Sequence, residues 1–115
     1  MADAQTCLFC QIVAGEIPAE IVRSTDDTIA FYDIAPVAPT HVLVVPRTHH
    51  VDVSRLAASD RDLAGRLLAD ASAVASELGL DEFRLVLNTG ATAGQSVFHV
   101  HAHVLGGRPL TWPPG

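Results

Sequence analysis

Three histidines at alternate positions make residues 99–105 the segment of this chain best equipped for chemistry. The segment reads His-Val-His-Ala-His-Val-Leu. Side chains in a β-strand alternate between two faces, so His99, His101 and His103 would share one face and the apolar residues the other. An imidazole near neutral pH can serve as a metal ligand, a proton carrier or a nucleophile. We therefore expect this strand face to act on a small charged group.

The histidine row has three interpretations that the residues alone leave open. A polar strand face open to solvent is the simplest, although three histidines rarely alternate by chance. A zinc site with three histidine ligands is the second, but the row would span roughly 13 Å, too far for one ion with bonds of about 2 Å. The third is nucleophilic attack by one histidine, with the others carrying protons and stabilising charge.

Two cysteines three residues apart, Cys7 and Cys10, form a second group of candidate functional residues. Such a pair is a weak signal by itself, because cysteines on a buried helical turn often act as small apolar residues. Two further ligands would complete a closed Cys₂His₂ zinc site.

Hydrophobic periodicity and capping residues predict the elements that position these groups. In chain order they are a helix over 7–14 capped by Thr6 and ended by Gly15, strands over 20–24, 28–34 and 41–46, a long helix opened by Ser59 and closed by Gly79, a strand over 83–88, a loop over 89–95 and the histidine strand. Short connections favour antiparallel pairing. The sequence therefore predicts an α+β fold in which the long helix covers one face of the sheet.

Length and charge exclude several classes of protein. A chain of 115 residues suits one domain over 1–115, with 106–115 as an extended C-terminal tail. Its net charge is −6 and its seven basic residues are scattered arginines, which argues against nucleic-acid binding. No apolar run approaches a membrane span, and the N-terminus does not resemble a secretory signal. We expect a cytoplasmic protein that binds neither nucleic acid nor membrane.

The chain resembles the histidine triad (HIT) superfamily. Residues 99–105 match its alternating histidine signature, and the glycines at 106 and 107 with the Trp-Pro-Pro-Gly end are similar to the Hint branch. Further matching segments are Leu8-Phe9-Cys10, Gly15-Glu16-Ile17-Pro18, Phe31-Tyr32-Asp33-Ile34, Pro39-Thr40-His41 and Gly94-Gln95-Ser96. The resemblance extends over nearly the whole chain. It implies a HIT-like fold, with a five-stranded antiparallel sheet, one long helix and a short N-terminal helix.

The resemblance also implies a purine nucleoside phosphoramidase that acts at the α-phosphate through a covalent nucleotidyl-histidine. By this analogy His101 is the nucleophile, and His103 binds phosphate oxygens and aids proton transfer. Ser96 contacts the leaving group, while His41 and His99 support the cluster. A neutral imidazole is a good nucleophile near pH 7, which suits this assignment.

Ligand-binding residues carry over from the family in the same way. The nucleotide, of the AMP type, would contact Asp33 at the ribose, Phe9, Phe31 and Ile34 at the base, Asn88, Gly94, Gln95, Ser96 and Val97 around the phosphate, and the histidines His101 and His103. Outside the family pattern, the apolar members of this set are ordinary core residues. The resemblance to zinc-bearing bacterial members implies a structural zinc ion on Cys7, Cys10, His49 and His99, and a homodimer.

Three alternatives remain beside the phosphoramidase. The chain could be a zinc-stabilised nucleotide-binding regulatory module with little turnover. It could be a dinucleoside polyphosphate hydrolase of the Fhit type, although its short loops and C-terminal end argue against this. It could also be a hydrolase with a three-histidine zinc ion.

Overall fold

One five-stranded antiparallel sheet organises the protein, with the strand order β1-β2-β3-β5-β4. The computed structural model describes residues 6–115. Its elements are α1 (Leu8–Val13), β1 (Ile21–Ser24), β2 (Thr28–Tyr32), β3 (Thr40–Pro46), α2 (Val53–Ser59), α3 (Arg61–Glu77), β4 (Phe83–Val86) and β5 (Ala102–Gly106), with a 3₁₀ turn at Ala91–Ala93. The predicted α+β class and antiparallel sheet are confirmed. Within the described residues, no helix is long and apolar enough to cross a membrane.

The long helix α3 covers one face of the sheet. Leu63, Leu67, Ala71 and Val74 are buried at the predicted helical spacing. The main core, formed with the opposing side chains of the sheet, also contains Ala30, Val42, Val44, Leu56, Ala75, Val100, Ala102 and Val104. Full burial of one large aliphatic side chain contributes about 1.5–3 kcal/mol, so this face supplies much of the stability. Its apolar character leaves the chemistry to the opposite face.

The opposite face carries the histidines and the short helix α1. A smaller core links α1 to this face and comprises Cys7, Phe9, Ile12, Ile29, Phe31, Leu43 and Val45. In the β3–β5 ladder Leu43 pairs with His103, and His41 pairs with Leu105. His41 and His103 are therefore diagonal neighbours on one face, within reach of each other's rings.

The predicted histidine strand is wrong at its beginning. Strand β5 starts only at Ala102, and the N–H of Val100 donates to the carbonyl of His50 at 2.7 Å. The backbone before β5 is therefore tied to the segment after β3, and His99 and His101 precede the regular strand. Gly106 ends β5, so the C-terminal tail begins one residue later than predicted.

Two helix starts differ from the prediction, and one helix was not predicted. Asp60 caps α3 in place of Ser59, and Cys7 caps α1 in place of Thr6. The sequence did not predict helix α2, which is capped by Asp52 and buries only Leu56. One buried residue in seven gives no periodicity, so the capping aspartate was the only available signal.

Candidate active site and metal cluster

The four residues Cys7, Cys10, His49 and His99 form a compact group, which we call the Cys₂His₂ cluster. Cys7 caps α1 and Cys10 lies one turn later, so one short helix presents both sulfur atoms. The Sγ atom of Cys7 lies 3.3 Å from Nδ1 of His99. The Sγ atom of Cys10 lies 3.3 Å from Nδ1 of His49 and 3.4 Å from Nδ1 of His99. All four ligand atoms lie within 4.8 Å of one another.

The dimensions of the Cys₂His₂ cluster fit a zinc ion. Zinc bonds of about 2.3 Å to sulfur and about 2.0–2.1 Å to nitrogen give a sulfur–nitrogen edge of about 3.6 Å in a tetrahedron. The observed edges of 3.3–3.4 Å are only slightly shorter. Burial and the neighbouring Cys7 raise the pKa of the Cys10 thiol to about 11, so zinc binding at neutral pH would displace its proton.

The backbone fixes the ring of His99 in the form that a metal ligand needs. Nε2 of His99 lies 2.9 Å from the carbonyl oxygen of Pro46, which can only accept, so Nε2 carries the proton. Nδ1 therefore presents its lone pair to the sulfur atoms. Burial lowers the pKa of His99 to about 4, which keeps the ring neutral at pH 7.

His101 has the opposite tautomer. Its Nδ1 lies 2.8 Å from the carbonyl oxygen of His99, so Nδ1–H donates and Nε2 keeps its lone pair. The ring lines a cleft and packs edge-on against Phe9, with a centroid distance of 5.1 Å. Burial lowers the pKa of His101, which favours the neutral ring. A neutral imidazole with a free lone pair at a cleft is a potential nucleophile.

A hydrogen-bond chain fixes the next two rings. The N–H of Val37 donates to Nδ1 of His41 at 3.2 Å, so Nδ1 keeps its lone pair and the ring proton lies on Nε2. That Nε2 lies 2.9 Å from Nδ1 of His103, which must accept. His103 then holds its own proton on Nε2. Because burial lowers the pKa of His103 to about 4, this ring is a neutral donor at pH 7.

Asp33, His41 and His103 also have ligand atoms close enough for a metal ion. Nε2 of His41 lies 3.4 Å from Oδ2 of Asp33. A metal on that Nε2 would leave the His41 proton on Nδ1, where it would face the N–H of Val37. Two donors facing each other disfavour this arrangement. We interpret His41 and His103 as a hydrogen-bonded pair of rings, with the carboxylate of Asp33 as a charged neighbour.

A cleft of about 550 Å³ lies beside His101 and His103. The predicted nucleotide-site residues that line it are Phe9, Phe31, Asp33, Ile34, Ser96, Val97, His101 and His103. The volume is in the range of ligand pockets. The cleft is therefore lined by polar and histidine side chains together with apolar ones.

Five other predicted residues lie outside the cleft lining: His41, Asn88, Gly94, Gln95 and His99. His41 lies behind His103, and His99 is buried in the Cys₂His₂ cluster. The amide Nδ2 of Asn88 lies 3.5 Å from the carbonyl oxygen of Gly94. The buried side chain of Gln95 bonds only to backbone atoms.

The sequence did not identify half of the residues that line the cleft. These are Leu8, Ile12, Ile17, Pro18, Ala19, Glu20, Tyr32 and Leu43. Most are apolar residues of α1, of the turn after it or of the central strands, and the sequence alone does not separate such residues from core residues. Their contribution depends on how α1 packs on the sheet.

Comparisons with known proteins agree with this geometry. A model of the HIT domain matches residues 14–110. An uncharacterized HIT-like protein of Synechocystis sp. is 49% identical over 97% of this chain and 99% of the relative. A 14 kDa zinc-binding protein of Brassica juncea is 43% identical over 94% of this chain and 98% of the relative.

A solved structure of a HIT family protein has a similar fold. The crystal structure of a HIT family hydrolase from Legionella pneumophila Philadelphia 1 has a TM-score of 0.90 to this structure and 45% sequence identity. The match covers 95% of this chain and 99% of that chain. With its histidine row, its sheet and these relatives, the chain belongs to the HIT domain family.

Proposed function

We propose that this protein hydrolyses purine nucleoside phosphoramidates at the α-phosphorus through a nucleotidyl intermediate on His101. The observation that carries the proposal is the tautomer of His101. Its Nδ1–H is bound to the carbonyl of His99, so the Nε2 lone pair is free beside the cleft. Attack on phosphorus needs such a lone pair on a neutral ring.

In the first step, Nε2 of His101 forms a bond to phosphorus while the phosphorus–nitrogen bond to the amine breaks. The amine keeps the bonding electron pair and takes a proton, which the hydroxyl of Ser96 delivers. The modified ring of His101 is cationic, and the carbonyl of His99 stabilises its remaining N–H. Nε2–H of His103 donates to a phosphate oxygen, which stabilises the negative charge that develops there.

In the second step, water attacks phosphorus and the bond to Nε2 breaks, with the electron pair returning to His101. The proton lost by the water restores the donor, and the nucleoside monophosphate leaves. The hydrogen bonds from Val37 to His41 and from His41 to His103 keep the Nε2–H of His103 directed at the phosphate in both steps.

The charge of the cleft favours a substrate with one phosphate. None of the described residues that line it is Lys or Arg, and Asp33 and Glu20 are both acidic. The ring of His103 is neutral at pH 7 because burial lowers its pKa to about 4. A polyphosphate chain would bring several negative charges without cationic partners. A phosphoramidate monoanion suits the cleft better than a dinucleoside polyphosphate.

We propose that the Cys₂His₂ cluster holds a structural zinc ion. Its four ligands would close the coordination shell, so the ion would stabilise the local fold without activating water. The similarity to the zinc-binding protein of Brassica juncea supports this assignment.

We also propose a cytoplasmic homodimer with one domain per chain. Both cysteines are free, which suits a reducing compartment. The edge strand β4 exposes Phe83, and α3 exposes Leu68, so two copies could bury both residues. Light scattering of the purified protein tests the dimer, and a monomeric mass at micromolar concentration would contradict it.

The stereochemistry at phosphorus tests the covalent step. An adenosine phosphoramidate made chiral with sulfur on phosphorus is hydrolysed in heavy-oxygen water, and the configuration of the product is determined. Two successive displacements predict retention of configuration, whereas direct attack by water predicts inversion. Inversion would overturn the role of His101 and favour metal-assisted hydrolysis.

Binding without turnover would favour a different function. If wild-type protein binds AMP but hydrolyses no nucleotide substrate, the chain is better described as a nucleotide-binding module. Hydrolysis of dinucleoside polyphosphates in preference to phosphoramidates would favour the Fhit type of activity.

A further inference from the structure

The side chain of Gln95 makes three hydrogen bonds to the backbone and is 3% exposed. Its Oε1 accepts from the N–H of Gly90 at 2.8 Å. Its Nε2 donates to the carbonyl oxygens of Val51 at 2.6 Å and Val97 at 3.1 Å. Both amide protons are used within the protein. The side chain therefore has no donor left for a ligand, although the resemblance to HIT proteins placed it in the nucleotide site.

These bonds add side-chain links between the segment after β3 and the two ends of the loop, which are also joined by backbone hydrogen bonds from Gln95 to Gly90 and from Val100 to His50. Val51 lies two residues after His49 of the Cys₂His₂ cluster, and Val97 follows Ser96 at the cleft. Gly90, at the start of the loop, has a φ of 91°, a conformation that favours glycine, and its carbonyl accepts from the N–H groups of Ala93 and Gln95. A buried amide that bridges these segments fixes the position of the loop relative to the sheet.

We propose that Gln95 is a positioning residue that holds Ser96 and Val97 against the cleft, which rests on the proposed function of Ser96 as donor to the leaving group. A glutamate at this position would keep the acceptor for Gly90 but would turn an oxygen toward the carbonyls of Val51 and Val97. The loop would then shift slightly, because the negatively charged carboxylate oxygen repels the two carbonyl oxygens. A displacement of about 1 Å can cost up to about a hundredfold in rate.

The test compares the variants Gln95→Glu and Gln95→Leu with wild type on two adenosine phosphoramidates. One has an alkylamine leaving group, which must be protonated, and the other an arylamine, which leaves more readily. We expect kcat for the alkylamine substrate to fall about 10–100-fold in both variants. We expect a fall of less than about threefold for the arylamine, because Ser96 matters less there.

A double-variant cycle asks whether Gln95 acts through Ser96. If it does, Gln95→Glu combined with Ser96→Ala should be no slower than Ser96→Ala alone. Gln11→Glu makes the same change from amide to acid outside the cleft lining and should keep wild-type kcat for both substrates. Equal slowing of both substrates, independent effects in the double variant, or unchanged kinetics in Gln95→Glu would each overturn the proposal.

Two further measurements separate this inference from folding and from the proposed function. Protection of the Gly90 N–H from hydrogen exchange should persist in Gln95→Glu and be lost in Gln95→Leu. If wild type hydrolyses neither substrate, the proposed function fails. The positioning role of Gln95 is then tested by comparing the affinity for AMP between wild type and the variants. About tenfold weaker AMP binding in Gln95→Glu, with Gln11→Glu unchanged, would support the positioning role, and equal binding would overturn it.

Discussion

Two neighbouring members of the histidine row, His99 and His101, differ in which ring nitrogen is free and in what faces it. At the buried end of the row, His99 is 0% exposed, is protonated on Nε2 and turns Nδ1 toward two sulfur atoms. In the middle of the row, His101 is protonated on Nδ1 and keeps Nε2 free beside the cleft. One sequence pattern therefore produces a candidate metal ligand and a candidate nucleophile two residues apart.

The comparison shows that the neighbouring main chain selects the role of each ring. The carbonyl of Pro46 sets the tautomer of His99, and the carbonyl of His99 sets that of His101. The N–H of Val37 sets the tautomer of His41. None of these three bonds belongs to a pair of strand residues in the sheet. The alternation of histidines places the rings on one face, and these backbone contacts determine which ring nitrogen is free for metal binding or nucleophilic attack.

The largest expected effect is at His101, in the middle of the row. His101→Ala should lower kcat for an adenosine phosphoramidate by at least about 10⁴-fold, because no other group replaces the nucleophile. His50→Ala is the matched control, since the His50 side chain contacts Thr48 and lies outside the cleft lining. Metal content, measured by mass spectrometry, should stay at the wild-type level in both variants. Loss of metal on His101→Ala would instead favour a catalytic metal site.

The next effect is at the buried end. Cys7→Ser should remove bound zinc and lower the free energy of unfolding by about 2–3 kcal/mol, which corresponds to a decrease in Tm of roughly 10 °C. Zinc analysis and thermal unfolding measure the two quantities. A chelator added to wild type should reproduce the shift without any substitution. Unchanged metal content in Cys7→Ser would contradict the proposed cluster.

A smaller effect concerns pH. Burial lowers the pKa of His103 from 6.5 to about 4. The neighbouring His101 and His41 lower this pKa further, whereas the carboxylate of Asp33 raises it. Between these values the unfolded chain binds more protons than the folded one, so the free energy of unfolding falls as pH drops from 6.5 to 4. Allowing for the partial exposure of the ring, the His103 contribution is about 1–2 kcal/mol.

Denaturant unfolding at pH 7 and near pH 4.5 measures this pH contribution. His103→Asn should lose less stability than wild type over the same interval, because its side chain does not titrate. Equal losses in the two proteins would mean that His103 keeps an ordinary pKa in the folded state.

The smallest effect concerns the support of His41. Arg108 donates from Nη2 to the carbonyl of Val37 at 2.8 Å, next to the N–H that holds His41. Because this contact is exposed, Arg108→Ala should lower kcat/KM by at most about fivefold. The kcat/KM of Arg108→Lys should lie between the values for wild type and Arg108→Ala. A hundredfold loss would mean that the tail contributes more directly to the cleft.

Much of the fold was predictable because its elements repeat a simple pattern. The helical spacing of Leu63, Leu67, Ala71 and Val74 gave the face of α3 that packs on the sheet. Alternation gave the strands and the shared face of the histidines. Helix α2 was not predicted because it is short and buries only Leu56.

The site was predictable in residue identity and much less so in geometry. Cys7, Cys10, His49 and His99 came from the resemblance, and the structure brings their ligand atoms together. Neither the tautomers nor the contacts of Gln95 could be predicted from the sequence. Both depend on carbonyl and N–H groups that every residue carries, and only the folded backbone determines where those groups point.

The bond between His99 and His101 has a consequence for how such proteins diverge. The group that orients His101 is the main-chain carbonyl of His99, while the side chain of His99 belongs to the Cys₂His₂ cluster. Replacing that side chain removes a proposed metal ligand and leaves the carbonyl in the chain. A descendant could therefore lose the proposed metal site and keep His101 oriented, provided that its packing compensates for the lost stability. The two properties can be inherited separately, although one residue carries both.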